Sequence, residues 1–186
     1  MDNIVSLYTS LDGRIGRKTW WLASIALAVV ILIIEFLILP LIGLSPMANL
    51  AAVAGGDAAA ASAAITDSVH KGAWVGLIVY VVFGLPIVAL GVKRRHDRDN
   101  SGMDFMIFYA IALLVNLAGA LGIGYTMMDV GNGITIPTPS LPLTGINVLL
   151  GLFGLYLLVV LGFLKGTTGS NQYGPDPLIV GATAAA

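Results

Sequence analysis

Four long apolar runs constrain this chain more than any other feature of its sequence. They cover residues 20–44, 73–92, 105–125 and 143–164. Each is long enough to cross the ~30 Å hydrocarbon core of a bilayer as an α-helix, which takes roughly 20 residues. Charged side chains make up 10% of the sequence, against about 25% in an ordinary soluble domain. The sequence therefore predicts an all-α integral membrane protein with a four-helix transmembrane bundle, forming a single membrane domain over residues 1–186.

The segments between these runs predict how the spans are connected. Residues 45–72 are rich in Ala and Gly, and we interpret them as a loosely helical or disordered external loop. Residues 126–142 form a second external connection. Residues 93–104 form a polar central hub and residues 165–186 a tail, and both are assigned to the cytoplasm.

The distribution of cations predicts the orientation. Of the nine Lys and Arg residues, all but Lys71 lie on one side of the four-span arrangement. Cytoplasmic segments of membrane proteins carry an excess of Lys and Arg. The cations on this side are Arg14, Arg17, Lys18, Lys93, Arg94, Arg95, Arg98 and Lys165. We therefore expect both termini and the central hub to be cytoplasmic, with the protein residing in the plasma membrane as a multi-pass protein.

The beginning of the chain allows more than one interpretation. Residues 2–11 have apolar side chains at helical spacing, so they fit a short amphipathic helix on the membrane surface, and they fit a frayed terminus equally well. Ala52-Val53-Ala54 resembles a signal-peptide cleavage site. The preceding apolar run is much longer than the ~7–15 residues of a signal-peptide core, so we expect it to be retained.

Two local patterns predict details of the helices. Pro86 interrupts the second apolar run, where it should free a carbonyl one turn earlier and kink the helix. Ser101-Gly102-Met103-Asp104 matches a capping box, in which the hydroxyl accepts an amide and the carboxylate reaches back.

Three segments, in this order around the apolar runs, resemble the motifs of a known family. Residues 13–21 (GRIGRKTWW) resemble a GRisRkxFW opening, and Arg94-Arg95-His96-Asp97 followed by Ser101-Gly102 resembles an RRLHDxxxSGW motif. Residues 166–177 (GTTGSNQYGPDP) resemble a GTxGxNxYGPDP ending. Together they resemble the bacterial inner-membrane family called domain of unknown function 805. The resemblance implies a bacterial inner-membrane protein with cytoplasmic termini and defines no activity.

This chain departs from the family pattern at two positions. Arg95 stands where the family usually has Leu, and Met103 stands where Trp follows Ser-Gly. The second departure removes an interfacial aromatic anchor from the start of the third span.

The predicted topology places all three motifs on the cytoplasmic face, where they can form one polar layer. One interpretation is a set of ion pairs and turn hydrogen bonds that ties the termini to the hub, with Asp97 or Asp176 paired to an arginine. The other is a phosphate-binding shelf for anionic lipid headgroups. The residues of this layer are Arg14, Arg17, Arg94, His96, Asp97, Asn171, Tyr173 and Asp176.

Glu35 lies about 22 Å along the first span from Trp20, well inside the hydrocarbon. A charge there is costly, so Glu35 should face other helices or be protonated, with Asn116 and Tyr80 as candidate partners at similar depth. It is either a hydrogen-bonded packing residue or the site of a small proton- or cation-coupled carrier.

The sequence gives little support for an enzyme. His96-Asp97 has the residue types for general acid–base chemistry, but no nucleophile accompanies it. Two distant histidines and no cysteine do not predict a metal site, and we expect no cofactor and no nucleic-acid partner. The expected role is a non-enzymatic structural, adaptor or lipid-associated membrane component, with a transporter or channel-like subunit using Glu35 as the alternative. Membrane lipids, another membrane protein and a second copy of the chain are the expected partners.

Overall fold

The computed structural model describes residues 4–44 and 57–179 of the chain. The candidate cleavage site Ala52-Val53-Ala54 lies outside the described residues. The described part is mostly helical and has one small sheet. Its elements are α1 (Ile4–Thr9), α2 (Arg17–Ile33), a π-helical turn (Ile34–Ile38), α3 (Leu39–Leu41), α4 (Ala58–Val82), α5 (Gly84–His96), α6 (Met103–Ala120), β1 (Tyr125–Asp129), β2 (Thr135–Pro139) and α7 (Leu141–Gly162).

The helices include several that are long and apolar enough to cross a membrane. Among the described residues these are Arg17–Leu41, Met103–Ala120 and Leu141–Gly162. The consecutive helices α4 and α5 raise the number from three to four if the broken pair counts as one span. The chain therefore has the apolar helices typical of a membrane protein.

The break between α4 and α5 lies where Pro86 predicts it. Pro86 has no backbone N–H, so it cannot donate to the carbonyl of Val82, the last residue of α4. Phe83 leaves the helical conformation between the two helices, with ψ near 4°. Helix α4 begins at Ala58, so the second half of the predicted external loop is helical.

A β-hairpin follows α6, and the all-α prediction was wrong about this segment. Strands β1 and β2 pair antiparallel, from Tyr125 opposite Pro139 to Asp129 opposite Thr135. The connecting loop closes because Gly131, Asn132 and Gly133 all adopt positive φ, which glycine and asparagine tolerate best. The prolines of β2 are acceptable because a two-stranded sheet leaves an edge that needs no further donor.

The predicted capping box at the start of α6 was also wrong in its bonding. The Ser101 hydroxyl accepts the amide of Met103 at 3.4 Å, and Asn100 Oδ1 accepts the amide of Gly102. The Asp104 carboxylate does not reach back to Ser101. It is drawn instead to the guanidinium of Arg95, because a charge-assisted hydrogen bond is stronger than one to a neutral amide.

The chain forms two compact units, which we describe separately. Unit 1 comprises Met1–Val29, Val81–Ile111 and Leu150–Ala186, and unit 2 comprises Val30–Tyr80 and Ala112–Leu149. The core of unit 1 brings together side chains from α2, α5, α6 and α7. Its buried members are Ile15, Trp20, Ala23, Leu90, Phe105, Leu157 and Leu161.

Two features position the polar residues of unit 1. Helix α1 agrees with the helical one of the two interpretations of residues 2–11. Its Tyr8 packs against the core and donates a hydrogen bond to the carbonyl of Ala23. Gly91 lies directly beneath the ring of Phe105, where an added Cβ would come within 2.3 Å of a ring carbon. This glycine therefore allows α5 and α6 to pack closely, which fixes the direction in which α5 delivers residues 93–97.

In unit 2 the hairpin is held to the first turns of α4. The amide of Thr135 donates to the Ser62 hydroxyl at 2.9 Å. A cavity of about 240 Å³ in this unit is lined by Thr66, Val69, His70, Tyr125 and Met127, among others.

Candidate functional site

The three motifs that resemble the family meet in unit 1 around the carboxylate of Asp97. Arg14 from the first motif approaches Asp97 Oδ1, with Nη2 at 3.1 Å and Nε at 3.3 Å. Arg94 Nη1 donates to Asp97 Oδ2. The side chains of Arg14, Arg94 and Asp97 are 1%, 0% and 6% exposed, so both ion pairs are almost completely shielded from water. We call Arg14, Arg94 and Asp97, together with residues 166–174 that close over them, the clasp.

Arg14 uses its remaining donors on the third motif. Its Nη1 donates to the carbonyls of Gly169 at 2.8 Å and Gly174 at 3.2 Å. Its Nη2 donates to the carbonyl of Thr167 at 2.8 Å as well as to Asp97. A guanidinium has five N–H donors, and every nitrogen of Arg14 is engaged inside the protein.

The clasp also depends on a close approach of backbone to carboxylate. The amide of Thr167 donates to the carbonyl of Asp97 at 2.8 Å, and the Thr167 hydroxyl donates to the same oxygen at 3.1 Å. The preceding residue is Gly166, where an added Cβ would lie 2.0 Å from Asp97 Oδ2. Glycine is needed there because any side chain would displace the carboxylate from its two arginines.

Side chains from the first two motifs cap the C-terminal end of α7. The last carbonyls of a helix have no intrahelical partner, and the negative end of the helix dipole favours cations. Here each of five successive carbonyls accepts a side-chain donor. Val160 accepts from Arg98, Leu161 from Arg94 Nε at 2.8 Å, Gly162 from Trp21 at 3.1 Å, Phe163 from Arg17 at 2.9 Å and Leu164 from Arg94 Nη2 at 2.5 Å.

His96 is held beside the clasp without contacting the carboxylate of Asp97. Its ring stacks on Tyr173 with 3.8 Å between centroids and 4° between planes. Its Nδ1 lies 3.1 Å from the carbonyl of Gly13, and because a carbonyl only accepts, Nδ1 carries the proton. Asn171 donates its side-chain amide to the carbonyl of His96 at 2.9 Å. His96 thus joins the first and third motifs.

Asp176 shapes the last turn of the third motif. Its Oδ1 accepts the amide of Leu178 and its Oδ2 accepts the amide of Gly169, both at 2.9 Å. These two backbone hydrogen bonds, of which that from Leu178 contributes most, lower the pKa of the Asp176 carboxyl below its usual range. Asp176 is therefore a turn-forming carboxylate, and the paired acid of the clasp is Asp97.

The structure brings the predicted polar layer together. Asp97 pairs with Arg14 and Arg94, as the ion-pair interpretation predicts, and Arg17 caps α7 at its edge. Among the described residues, every buried side-chain nitrogen and oxygen has a hydrogen-bond partner.

The residues that the sequence predicts within the membrane are arranged differently. Glu35 is half-buried in the π-helical turn, which precedes Pro40, a residue that cannot donate to the carbonyl of Phe36. The exposed Asn116 donates its amide to the carbonyl of Ala112, one turn earlier in α6. Tyr80 is half-buried near the end of α4. In the described part of the chain no hydrogen bond joins Glu35 to Asn116.

Beside the clasp, unit 1 has an open groove of about 780 Å³. It lies between the start of α2 and the segment that follows α7. Its polar lining consists of Arg17, Lys18, Thr19, Lys165, Thr167, Thr168, Asp97 and Asp176.

Several residues of the site were not singled out from the sequence. Thr167, Gly166, Trp21 and Arg98 all make contacts described above, and all lie within or beside the three motifs. The motifs themselves were the available signal. Nothing in the chemistry of Gly166 or Trp21 alone marks either residue as part of the site. Their roles depend on which residues lie next to them in the folded protein.

These features define a class of protein: a helical protein with membrane-length apolar helices, whose two end segments are clasped to a central polar segment. The family described as protein of unknown function (DUF805) matches residues 8–175. The chain belongs to this family, which confirms the resemblance. No curated protein and no solved structure matches the chain.

The departure from the family pattern at Arg95 has a structural counterpart in Asp104. Arg95 Nε donates to Asp104 Oδ1 at 3.0 Å and Nη2 lies 2.5 Å from Oδ2, with side-chain exposures of 8% and 27%. Arg95 is therefore accommodated by a bidentate ion pair with Asp104 in the first turn of α6.

We expect the stability losses caused by substituting Arg95 and Asp104 to be strongly non-additive. Asp104→Asn should lower stability by about 1–3 kcal/mol, because it leaves the buried Arg95 with a weakened partner. Arg95→Leu, which restores the usual family residue, should cost less because Asp104 is partly hydrated. The double variant should be close to wild type. Melting temperatures of the four proteins in detergent measure the coupling, and additive losses would contradict the pairing.

Proposed function

We propose that this protein is a non-enzymatic structural or adaptor component of the bacterial inner membrane. It crosses the membrane four times with both termini in the cytoplasm, and the clasp fixes the shape of its cytoplasmic face. The single observation that carries this proposal is the closed hydrogen bonding of Arg14, Arg94 and Asp97. Because the donors and acceptors of these three side chains already bond to one another and to the backbone, their arrangement is explained by a structural role and requires no substrate.

The distribution of apolar surface supports the membrane placement. Only 6%, 11% and 22% of the most apolar windows of Arg17–Leu41, Met103–Ala120 and Leu141–Gly162 are buried within the protein. Apolar surface of this extent needs a covering solvent, and a bilayer supplies it. The charge asymmetry of the sequence then orients the spans.

The geometry around His96 supports a role without catalysis. General acid–base chemistry at His96 would use Asp97 to orient the imidazole, but that carboxylate is bonded to two arginines. The ring itself is stacked on Tyr173. Membrane lipids, another membrane protein or a second copy of the chain are the partners that such a component would contact.

The topology predicts a pattern of thiol labelling. The chain has no cysteine, so single cysteines report their own positions. Ser101→Cys and Ser170→Cys should be protected from a membrane-impermeant thiol reagent in intact cells and labelled after lysis. Val130→Cys, at the exposed turn of the hairpin, should be labelled in intact cells. Labelling of residues 101 and 170 on opposite sides would overturn the four-span arrangement.

The structural role predicts that clasp variants lose stability in any lipid. Arg14→Ala leaves Asp97 and Arg94 imperfectly paired in a dry site, which typically costs about 3–5 kcal/mol. Gly166→Ala changes no charge but displaces the same carboxylate, so it should cause a loss of similar size. Each variant should lower the melting temperature by the same amount in phosphatidylcholine nanodiscs as in phosphatidylglycerol nanodiscs.

Gly16→Ala is the matched control for these variants. Nothing lies within 4 Å of a Cβ added at Gly16, so its melting temperature should match wild type. If Arg14→Ala melted like wild type in phosphatidylcholine and differed in phosphatidylglycerol alone, the clasp would be a lipid-binding site, and the structural proposal would fail.

One observation favours a second candidate function, a small proton- or cation-coupled carrier. Glu35 lies in a π-helical turn, and such turns occur frequently at functional sites. In proteoliposomes carrying a pH gradient, a carrier using Glu35 would show proton flux that Glu35→Gln abolishes without altering assembly. Equal flux for wild type and Glu35→Gln would eliminate this candidate.

A further inference from the structure

We propose that the groove beside the clasp binds the phosphate group of an anionic phospholipid, with Lys18 and Lys165 as its principal ligands. The inference rests on the proposed membrane placement, which puts this groove at the level of the lipid headgroups. It assigns the principal phosphate contacts to two lysines outside the clasp, since the clasp arginines are already engaged.

The electrostatics of the groove favour an anion. Arg17, Lys18 and Lys165 line its wall and are exposed to solvent. The two carboxylates that also line the groove, those of Asp97 and Asp176, are already engaged. Asp97 is bonded to two arginines and Asp176 accepts two backbone amides. The clasp itself holds two guanidinium groups against one carboxylate, so its residual charge is positive and adds to that of the wall.

Neutral donors are placed at the same groove. The hydroxyl-bearing residues Thr19 and Thr168 belong to its lining. The groove also includes the first turn of α2, where the backbone bonds begin with the amide of Trp20 donating to Gly16 at 2.9 Å. The amides of Arg17, Lys18 and Thr19 precede that bond, and amides at a helix start add partial positive charge.

The surroundings favour a lipid over a free phosphate ion. Leu178 lines the groove and is 77% exposed. Phe163 and Leu164, which follow α7 directly before Lys165, are 60% and 41% exposed. A ligand with a phosphate for the lysines and acyl chains for this apolar surface would satisfy both, and an anionic phospholipid has this chemistry.

The test is a direct binding measurement on the full-length protein in a non-ionic detergent at low ionic strength. Dioctanoyl phosphatidylglycerol, dioctanoyl phosphatidylcholine and inorganic phosphate are titrated separately by calorimetry. We expect wild type to bind phosphatidylglycerol more tightly than phosphatidylcholine. Lys18→Gln/Lys165→Gln should weaken phosphatidylglycerol binding roughly 30-fold, at about 1 kcal/mol for each cation removed.

Two control variants test whether the loss of phosphatidylglycerol binding comes from the groove. Lys71→Gln removes a cation whose side chain is 59% exposed and lies in unit 2, so it should leave binding unchanged. Lys18→Arg/Lys165→Arg keeps both charges and should retain binding. The double glutamine variant should melt like wild type without ligand, which separates loss of binding from failure of the clasp.

The outcomes distinguish the sources of the phosphate. Binding of inorganic phosphate with the same dependence on Lys18 and Lys165 would support the site and assign it to a free phosphate. Equal binding of phosphatidylglycerol and phosphatidylcholine by wild type would overturn the proposal. Unchanged affinity in the double glutamine variant would overturn it as well. The comparison of the two lipids on wild type remains decisive even if a variant does not fold.

Discussion

The bridging of Asp97 by Arg14 and Arg94 is the interaction on which the described structure of unit 1 depends. Removing charges from water is costly, and a buried ion pair is stable only when its remaining donors and acceptors are also bonded. The clasp meets this condition through the carbonyls of Gly169, Gly174 and Thr167, which occupy the other donors of Arg14. The guanidinium of Arg14 thereby joins Asp97, which lies 83 residues further along the chain, and Gly169, which lies 155 residues further along.

The capping of α7 extends the same principle to a helix end. The last carbonyls of a helix have no intrahelical partner and need donors from elsewhere. Arg94 serves both the carboxylate of Asp97 and the carbonyls of Leu161 and Leu164, so the helix end and the clasp form together. Loss of one guanidinium would consequently affect both features, which is why the motifs are better understood as one unit than as three sites.

Much of the helical architecture was accessible from the sequence, because long apolar runs have few alternatives to helices. The break before Pro86 follows from the missing amide of proline. The helix at residues 4–9 is one of the two interpretations that its apolar spacing allowed. The hairpin was missed because its strands are short and its loop depends on positive φ at Gly131, Asn132 and Gly133. The capping box was misassigned because Arg95, nine residues earlier, offers Asp104 a charged partner.

The sequence by itself determined that this chain has membrane-length apolar helices, a strongly one-sided distribution of cations and membership of one family. Those properties follow from composition and order, which do not change on folding. Only the tertiary structure decided that Asp97 rather than Asp176 is the acid of the clasp. It also decided that Gly166 must lack a side chain and that Lys18 and Lys165 face an open groove. The physical reason is that pairing and burial depend on which groups meet in space, and residues 14, 94, 97 and 166 meet only after the helices have packed.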